Sequence, residues 1–436
     1  MIYDEELRLV YVGTGNGSPW SHEIRSNGVG DNLYLSSIVA LHVDTGRVAW
    51  HYQTTPGDNW DYTAVQPLML ADLAINGILR KVIMQAPKNG FFYVLDRESG
   101  DLMYADPYAE INWATGVDLE TGRPTETPHA RYQDALTMIM PGPTGAHNWH
   151  PMSFNPNTGL VYIPTLQGTV FPYAIMDDYE FTPGSWNLGI EFDSFATQEV
   201  LPDFAYSPGT GPATRSPGAL LAWDPITRQP RWAHDYDFTI NGGTLSTGGN
   251  LVFQGGADGF MRAFAADDGE LLWEVDLGVG IMAAPITYQL SGIQYVAVLV
   301  GWGGSSGLFG PNFDGEYKPQ GRLWSFRLNG DEIIPVKGQP LPEITALPFD
   351  DSPELVADGY DKYSTNCMVC HGAEGISGGP IADLRYASDA TYGNIQAIVR
   401  EGAYASLGMP NLSNALSEAD VDSILNWILS RRALLE

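Results

Sequence analysis

The 436-residue sequence predicts an all-β propeller of about five blades followed by a small all-α domain, and three observations carry that prediction. Four segments in the first two thirds repeat one pattern of small residues, an Asp-containing turn and an aromatic strand. A stretch punctuated by Pro335, Pro340, Pro342 and Pro348 then reads as an extended linker. Beyond it lie the only two cysteines, in Cys367-Met368-Val369-Cys370-His371. The expected boundaries are a propeller over 1–334, a linker over 335–350 and a helical domain over 351–436.

The first repeat is Ala40-Leu41-His42-Val43-Asp44-Thr45-Gly46 leading to Trp50, and the second is Val94-Leu95-Asp96-Arg97-Glu98-Ser99-Gly100. Ala222-Trp223-Asp224-Pro225 leads to Trp232, and Ala263-Phe264-Ala265-Ala266-Asp267-Asp268-Gly269 leads to Trp273. Each reads as strand, tight turn, strand. Trp232 and Trp273 are 41 residues apart, about the length of one four-stranded blade. Generic hairpins of a β-sandwich would show the same turns, but a tryptophan recurring after the turn favours blades that dock through it. The region has few helix-length apolar stripes.

The formal net charge of −30 argues against nucleic acid and anionic membrane surfaces as partners, and permits a basic redox partner. No apolar run reaches transmembrane length.

The C-x-x-C-H spacing is that of covalent c-type haem attachment. Cys367 and Cys370 each add to one haem vinyl group, and His371 offers its imidazole to the iron. A zinc site would need a second cysteine pair, which the chain lacks. A helix is expected from Ser352-Pro353-Glu354, with Ser as N-cap and Pro at the first helical position, through Tyr360 and Tyr363 to the cysteines. A middle helix is expected over Tyr392 to Arg400. The last opens on Ser417-Glu418-Ala419-Asp420, a capping box, and carries Val421, Ile424, Leu425, Ile428 and Leu429 as one apolar stripe. Met409, in a turn between helices, is the expected sixth iron ligand, and His/Met coordination suits electron transfer. The Pro380 carbonyl is placed on the His371 ring nitrogen. This region resembles class I cytochrome c.

The repeats resemble the tryptophan-docking motifs of the pyrroloquinoline quinone (PQQ) dehydrogenases, which are eight-bladed propellers. With a cytochrome c domain after a Pro-rich linker, the chain is most similar to the type II quinohaemoprotein alcohol dehydrogenases. The resemblance implies that Asn16, closing Gly13-Thr14-Gly15-Asn16, ligates a calcium ion beside the quinone. It implies that Asp61, in Asp58-Asn59-Trp60-Asp61-Tyr62, is the general base and a second calcium ligand, while Asp58 has no role. Lys88 is matched to the cation on the quinone oxygens, and Asn148 and Trp149 to the far side of PQQ. Lanthanide-using relatives carry an extra Asp where this chain has Thr63, so calcium is the expected metal. The implied activity is oxidation of an alcohol to an aldehyde by hydride transfer to PQQ. Electrons would pass through haem c to an external copper protein or cytochrome, in the periplasm. By the same resemblance about three N-terminal blades, and with them the quinone-stacking Trp, the acidic calcium ligand and the vicinal cysteine pair, lie outside this sequence, as does any leader peptide. The alternatives are a non-catalytic electron-transfer cytochrome on a propeller scaffold or, with those blades outside this sequence, an inactive fragment of the enzyme.

Overall fold

A computed structural model describes residues 1–181, 187–191, 207–303, 317–318, 321–330, 339–377, 381 and 383–435. Pro335 and Pro380 lie outside the described residues. The chain divides into two compact units, one holding most of residues 1–331 and the other most of 300–436.

The first unit is built from antiparallel sheets in chain order. Four have four strands: Ile2–Asp4 through Val48–Gln53, Met69–Ile75 through Leu102–Pro107, Ser153–Asn155 through Gln229–Tyr236, and Thr244–Ser246 through Leu271–Asp276. A fifth has three, Ile286–Leu290, Ile293–Val300 and Arg322–Arg327. Each repeat read from the sequence is the hairpin joining the last two strands of one four-stranded sheet.

The recurrent aromatics bridge one sheet to the next. Trp50 of the first sheet donates its indole N–H to the Arg97 carbonyl of the second, 3.3 Å away, and lies against Gly100. Trp232 repeats this two steps on, donating to Ala266 O at 3.1 Å and packing on Gly269. Between them Tyr104 takes the tryptophan's place and donates to Pro225 O. At the fourth step Trp273 meets Phe326 edge-on, with centroids 5.3 Å apart. Gly100 and Gly269 have φ of +81° and +78°, and a Cβ on either would stand 2.6 Å from the docked indole. Trp50→Ala is therefore expected to destabilise this unit by about 3–5 kcal/mol, and urea unfolding followed by tryptophan emission would measure it.

The second unit is helical at its C-terminal end. Pro353–Asn366 crosses Glu418–Ala433 at Gly359, where a Cβ would meet Ser423 O at 2.2 Å. Tyr363 stacks on Trp427 beside this crossing, with centroids 4.2 Å apart. The capping box at Ser417 and Asp420 is formed. Val421, Ile424, Ile428 and Leu429 are buried as the stripe predicts, and Trp427, outside the stripe, is buried with them. The expected middle helix divides into Asp389–Gly393 and Ile395–Val399. It begins early because the Ser388 side chain caps Thr391 N–H. It breaks at Asn394, whose side chain donates to Ala390 O at 2.7 Å, the local competition that disfavours Asn within helices. Thr345 and Asp350, read as linker, bond to the last helix: Thr345 O accepts from Arg432, and Asp350 pairs with Asn426 through its N–H and its carbonyl.

Candidate functional site

The strand Leu9–Gly13 ends in the turn that carries Asn16. Gly13 lies so close to the following connection that a Cβ would sit 1.8 Å from Ala64 O, so only glycine fits. Thr14 O accepts from Ala64 N–H at 3.0 Å, which ties the Asn16 turn to the segment carrying Asp61.

That segment, residues 54–62, turns two aromatic side chains inward around one outward carboxylate. Trp60 and Tyr62 are fully buried, ring-stacked at 5.5 Å, and donate to Ala130 O and Pro141 O at 2.8 and 2.6 Å. Asp61 between them has φ +67°, a left-handed backbone that is uncommon for a residue with a side chain and that recurs at functional sites. The Asp61 carboxylate accepts from Lys88 Nζ at 2.9 Å, and the Asn16 side chain lies close enough to it to favour its ionised form. Lys88 also donates to the Asp61 carbonyl at 3.0 Å. Three residues nominated from separate segments therefore meet at one point. Burial raises the Asp61 pKa above the ordinary carboxylate value, and Lys88 and Asn16 oppose that shift.

Lys88 is itself buried, unlike most lysines in turns. The 145–147 segment holds its turn in place. Gly145, at φ +79°, has no Cβ to meet Lys88 Cα, which would be 2.7 Å away, and Ala146 N–H donates to Lys88 O at 2.9 Å. The His147 ring is fully buried, with Nδ1 2.7 Å from Ala86 O. Asn148 and Trp149 follow directly. The Asn148 side chain is committed locally, donating to Thr144 O and accepting from Trp149 N–H, both at 2.8 Å. Trp149 is 39% exposed and stacked on His150.

Asp58, given no role from the sequence, shapes the loop. It is fully buried, and its Oδ1 accepts from Trp60 and Tyr62 N–H at 3.3 and 3.0 Å. Burial, with Asp61 nearby, pushes its pKa up to about 7. A carboxyl raised in the folded state contributes stability that is present below its unfolded value and is lost as pH rises through its folded one. Asp58→Asn is expected to flatten the fall in stability between pH 3.8 and about 7, as read by urea unfolding at a series of pH values. Arg131 was not legible as a site residue either. Its guanidinium donates to Gly57 O and Pro56 O at 2.8 and 3.2 Å and lies over Trp60.

In the second unit Cys367 is buried and Cys370 half-buried, and neither is in a disulfide. Cys367 caps the single turn Met368–His371, which contains Cys370 and is closed by His371 N–H on Cys367 O at 2.9 Å. Tyr363 Oη donates to Gly372 O at 2.7 Å and pins the residue after His371. Burial pushes the Cys367 thiol up to about 12. Met409 follows Gly408, at φ +97°, and packs against the apolar cluster that contains Cys367.

These donor sets suit the expected groups. A carboxylate and a carboxamide oxygen make a hard, oxygen-only start to a calcium shell. Two unpaired thiols on one turn, with an imidazole next to them and an apolar cluster around them, suit haem c.

Such sheets, with this constellation at one end, define a quinoprotein propeller, joined in the same chain to a c-type cytochrome. A model of the glucose/ethanol/alcohol dehydrogenase β-propeller domain of the PQQ type matches residues 1–106 and 117–296, and the chain belongs to that family. Residues 354–428 match a model of the cbb3-type cytochrome c oxidase subunit III. The quinohemoprotein alcohol dehydrogenase ADH IIB of Pseudomonas putida is 49% identical over 99% of this chain and 61% of its own length. Among solved structures, quinohemoprotein alcohol dehydrogenase ADHIIG of Pseudomonas putida superposes with a TM-score of 0.84 at 38% identity, covering 99% of this chain and 63% of that one. The enzyme of Comamonas testosteroni gives a TM-score of 0.80 at 42% identity over 100% and 63%. The chain thus spans about 61% of the length of the first of these relatives. Among the described residues, no helix is long and apolar enough to cross a membrane.

Proposed function

We propose that this chain carries the catalytic face and the electron outlet of a quinohaemoprotein alcohol dehydrogenase, acting in the periplasm. The observation that carries this reading is the meeting of Asn16, Asp61 and Lys88 at one carboxylate, with Lys88 Nζ 2.9 Å from Asp61 Oδ2. A scaffold without chemistry has no need of a partly buried carboxylate held on a left-handed residue between a carboxamide and an ammonium.

When bound, PQQ supplies the two-electron oxidant, calcium the Lewis acid that seats it, and haem c the one-electron outlet. Asn16 and Asp61 would hold the calcium from two different connections of the propeller. Asp61 would accept the alcohol hydroxyl proton on its carboxylate, at a site where bound calcium keeps that carboxylate ionised. Lys88 would hold Asp61 in place and present its remaining N–H to the oxygens of the quinone, where negative charge develops. Trp149 would cover the cofactor's outer side. In the second unit Cys367 and Cys370 would hold the haem covalently, and His371 and Met409 would ligate its iron. The products are an aldehyde and reduced haem, to be reoxidised by a copper protein or a cytochrome.

The test is reduction of the haem by a primary alcohol in purified protein given calcium and PQQ, followed at the α band. Reduction that a calcium chelator abolishes is the expected result. Reduction by ascorbate but never by alcohol would favour an electron-transfer protein on a non-catalytic propeller.

A further inference from the structure

We propose that Arg25 is a positioning residue that fixes the Asn16 turn and the Asp61 loop at the separation calcium requires, an inference that rests on the calcium reading above. Arg25 lies in the short helix His22–Ser26, between the two segments in sequence and in space. One guanidinium nitrogen, Nη1, donates to both Pro19 O at 2.7 Å and Trp20 O at 2.9 Å, at the end of the Asn16 turn. Nη2 donates to Asp58 O at 2.6 Å, at the start of the Asp61 loop. Nε is taken by Asn32 Oδ1 at 2.9 Å, which sets the plane of the fork.

The aliphatic part of the same side chain is the seat of the Asn16 turn. A Cβ added to Gly17, the residue after Asn16, would stand 2.8 Å from Leu35 Cδ1, 3.0 Å from Arg25 Cδ and 3.2 Å from Arg25 Nε. Asn16 is thus joined to a glycine resting on the stem of Arg25, while the head of Arg25 grips the loop that delivers Asp61. The helix itself is anchored to that loop, because His22 N–H donates to Asn59 Oδ1. With Arg131 on Pro56 O and Gly57 O, three consecutive carbonyls of the Asp61 loop are held by guanidinium donors. Only the Arg25 grip also reaches the Asn16 side.

Arginine is needed because its donors are spread over a rigid planar fork, which can hold carbonyls of two segments at once. A lysine ammonium is a single point at the end of a flexible stem. Outer partners that orient metal ligands commonly influence affinity by about 10–100-fold, although they touch neither metal nor substrate.

The experiment is calorimetric titration of calcium into the chelator-treated full chain in the presence of PQQ, at a temperature well below unfolding. Wild type, Arg25→Gln, Arg25→Lys and Gly17→Ala are compared. Arg25→Gln is expected to weaken calcium binding by about tenfold or more, with Arg25→Lys recovering part of the loss. Gly17→Ala, which keeps the guanidinium but crowds its stem and Leu35, is expected to show a smaller loss and covers the case in which Arg25→Gln does not fold. Calcium binding of wild-type strength in Arg25→Gln, or in Gly17→Ala if the former is unfolded, would overturn the inference even if melting temperature falls. Absence of calcium binding by the wild type would instead overturn the calcium reading on which it rests.

Discussion

Replacing Asp61 by asparagine is expected to slow alcohol-driven haem reduction by at least about a hundredfold, the low end of what a positioned general base contributes. Asparagine nearly matches aspartate in shape and can still offer a carboxamide oxygen to calcium, so the cofactor shell is altered less than the chemistry. What disappears is the oxygen that accepts the alcohol proton. The substitution also removes the carboxylate that pairs with Lys88, a cation with a buried side chain and a 2.9 Å contact. Leaving a buried charge unpaired is destabilising, so urea unfolding should be measured beside the rate. The expected pattern is a lost response to alcohol, a normal response to ascorbate and a retained fold. An Asp61→Asn protein that reduces its haem with alcohol at the wild-type rate would remove Asp61 from the mechanism.

The double substitution Cys367→Ser, Cys370→Ser is expected to abolish covalent haem altogether. Neither sulfur is tied up in a disulfide, and the two sit on one closed turn, Cys367 at its cap and Cys370 within it, so both are available for thioether bonds. Serine offers no comparable nucleophile, and His371 would then hold haem by coordination only. Haem staining after denaturing electrophoresis reads the bond directly: strong in wild type, absent in the double variant, weaker in either single variant. Calcium and PQQ uptake should be unaffected in the same protein. Haem that survives denaturation in the double variant would mean that attachment does not run through these cysteines.

Much of this was legible along the chain because it is local. The hairpin turns, the Ser417–Asp420 capping box and the Cys-x-x-Cys-His turn are each set within a few residues, where backbone preference and side-chain capping act without help from distant segments. Errors arose where a side chain competed with its own backbone. The Asn394 carboxamide bonds to Ala390 O and divides a helix that apolar spacing alone would have continued. Asp58 was given no catalytic role because it lies earlier in the turn than Asp61, and its structural part is one spacing does not show: its carboxyl receives the N–H groups of Trp60 and Tyr62 and so shapes the loop.

The linear pattern thus carried the blades and the haem turn, and the family resemblance it supports nominated Asn16, Asp61 and Lys88. It held no trace of what brings those three together. Asn16 and Lys88 lie 72 residues apart, and their meeting at the Asp61 carboxylate depends on contacts between connections of different sheets. Arg25 and Arg131 are surface-type residues by composition. They become part of the site because the backbone carbonyls at 19–20 and 56–58 turn toward them only in the folded chain. Buried carbonyl groups must find donors, and which guanidinium satisfies them is a matter of three-dimensional packing that no spacing rule records.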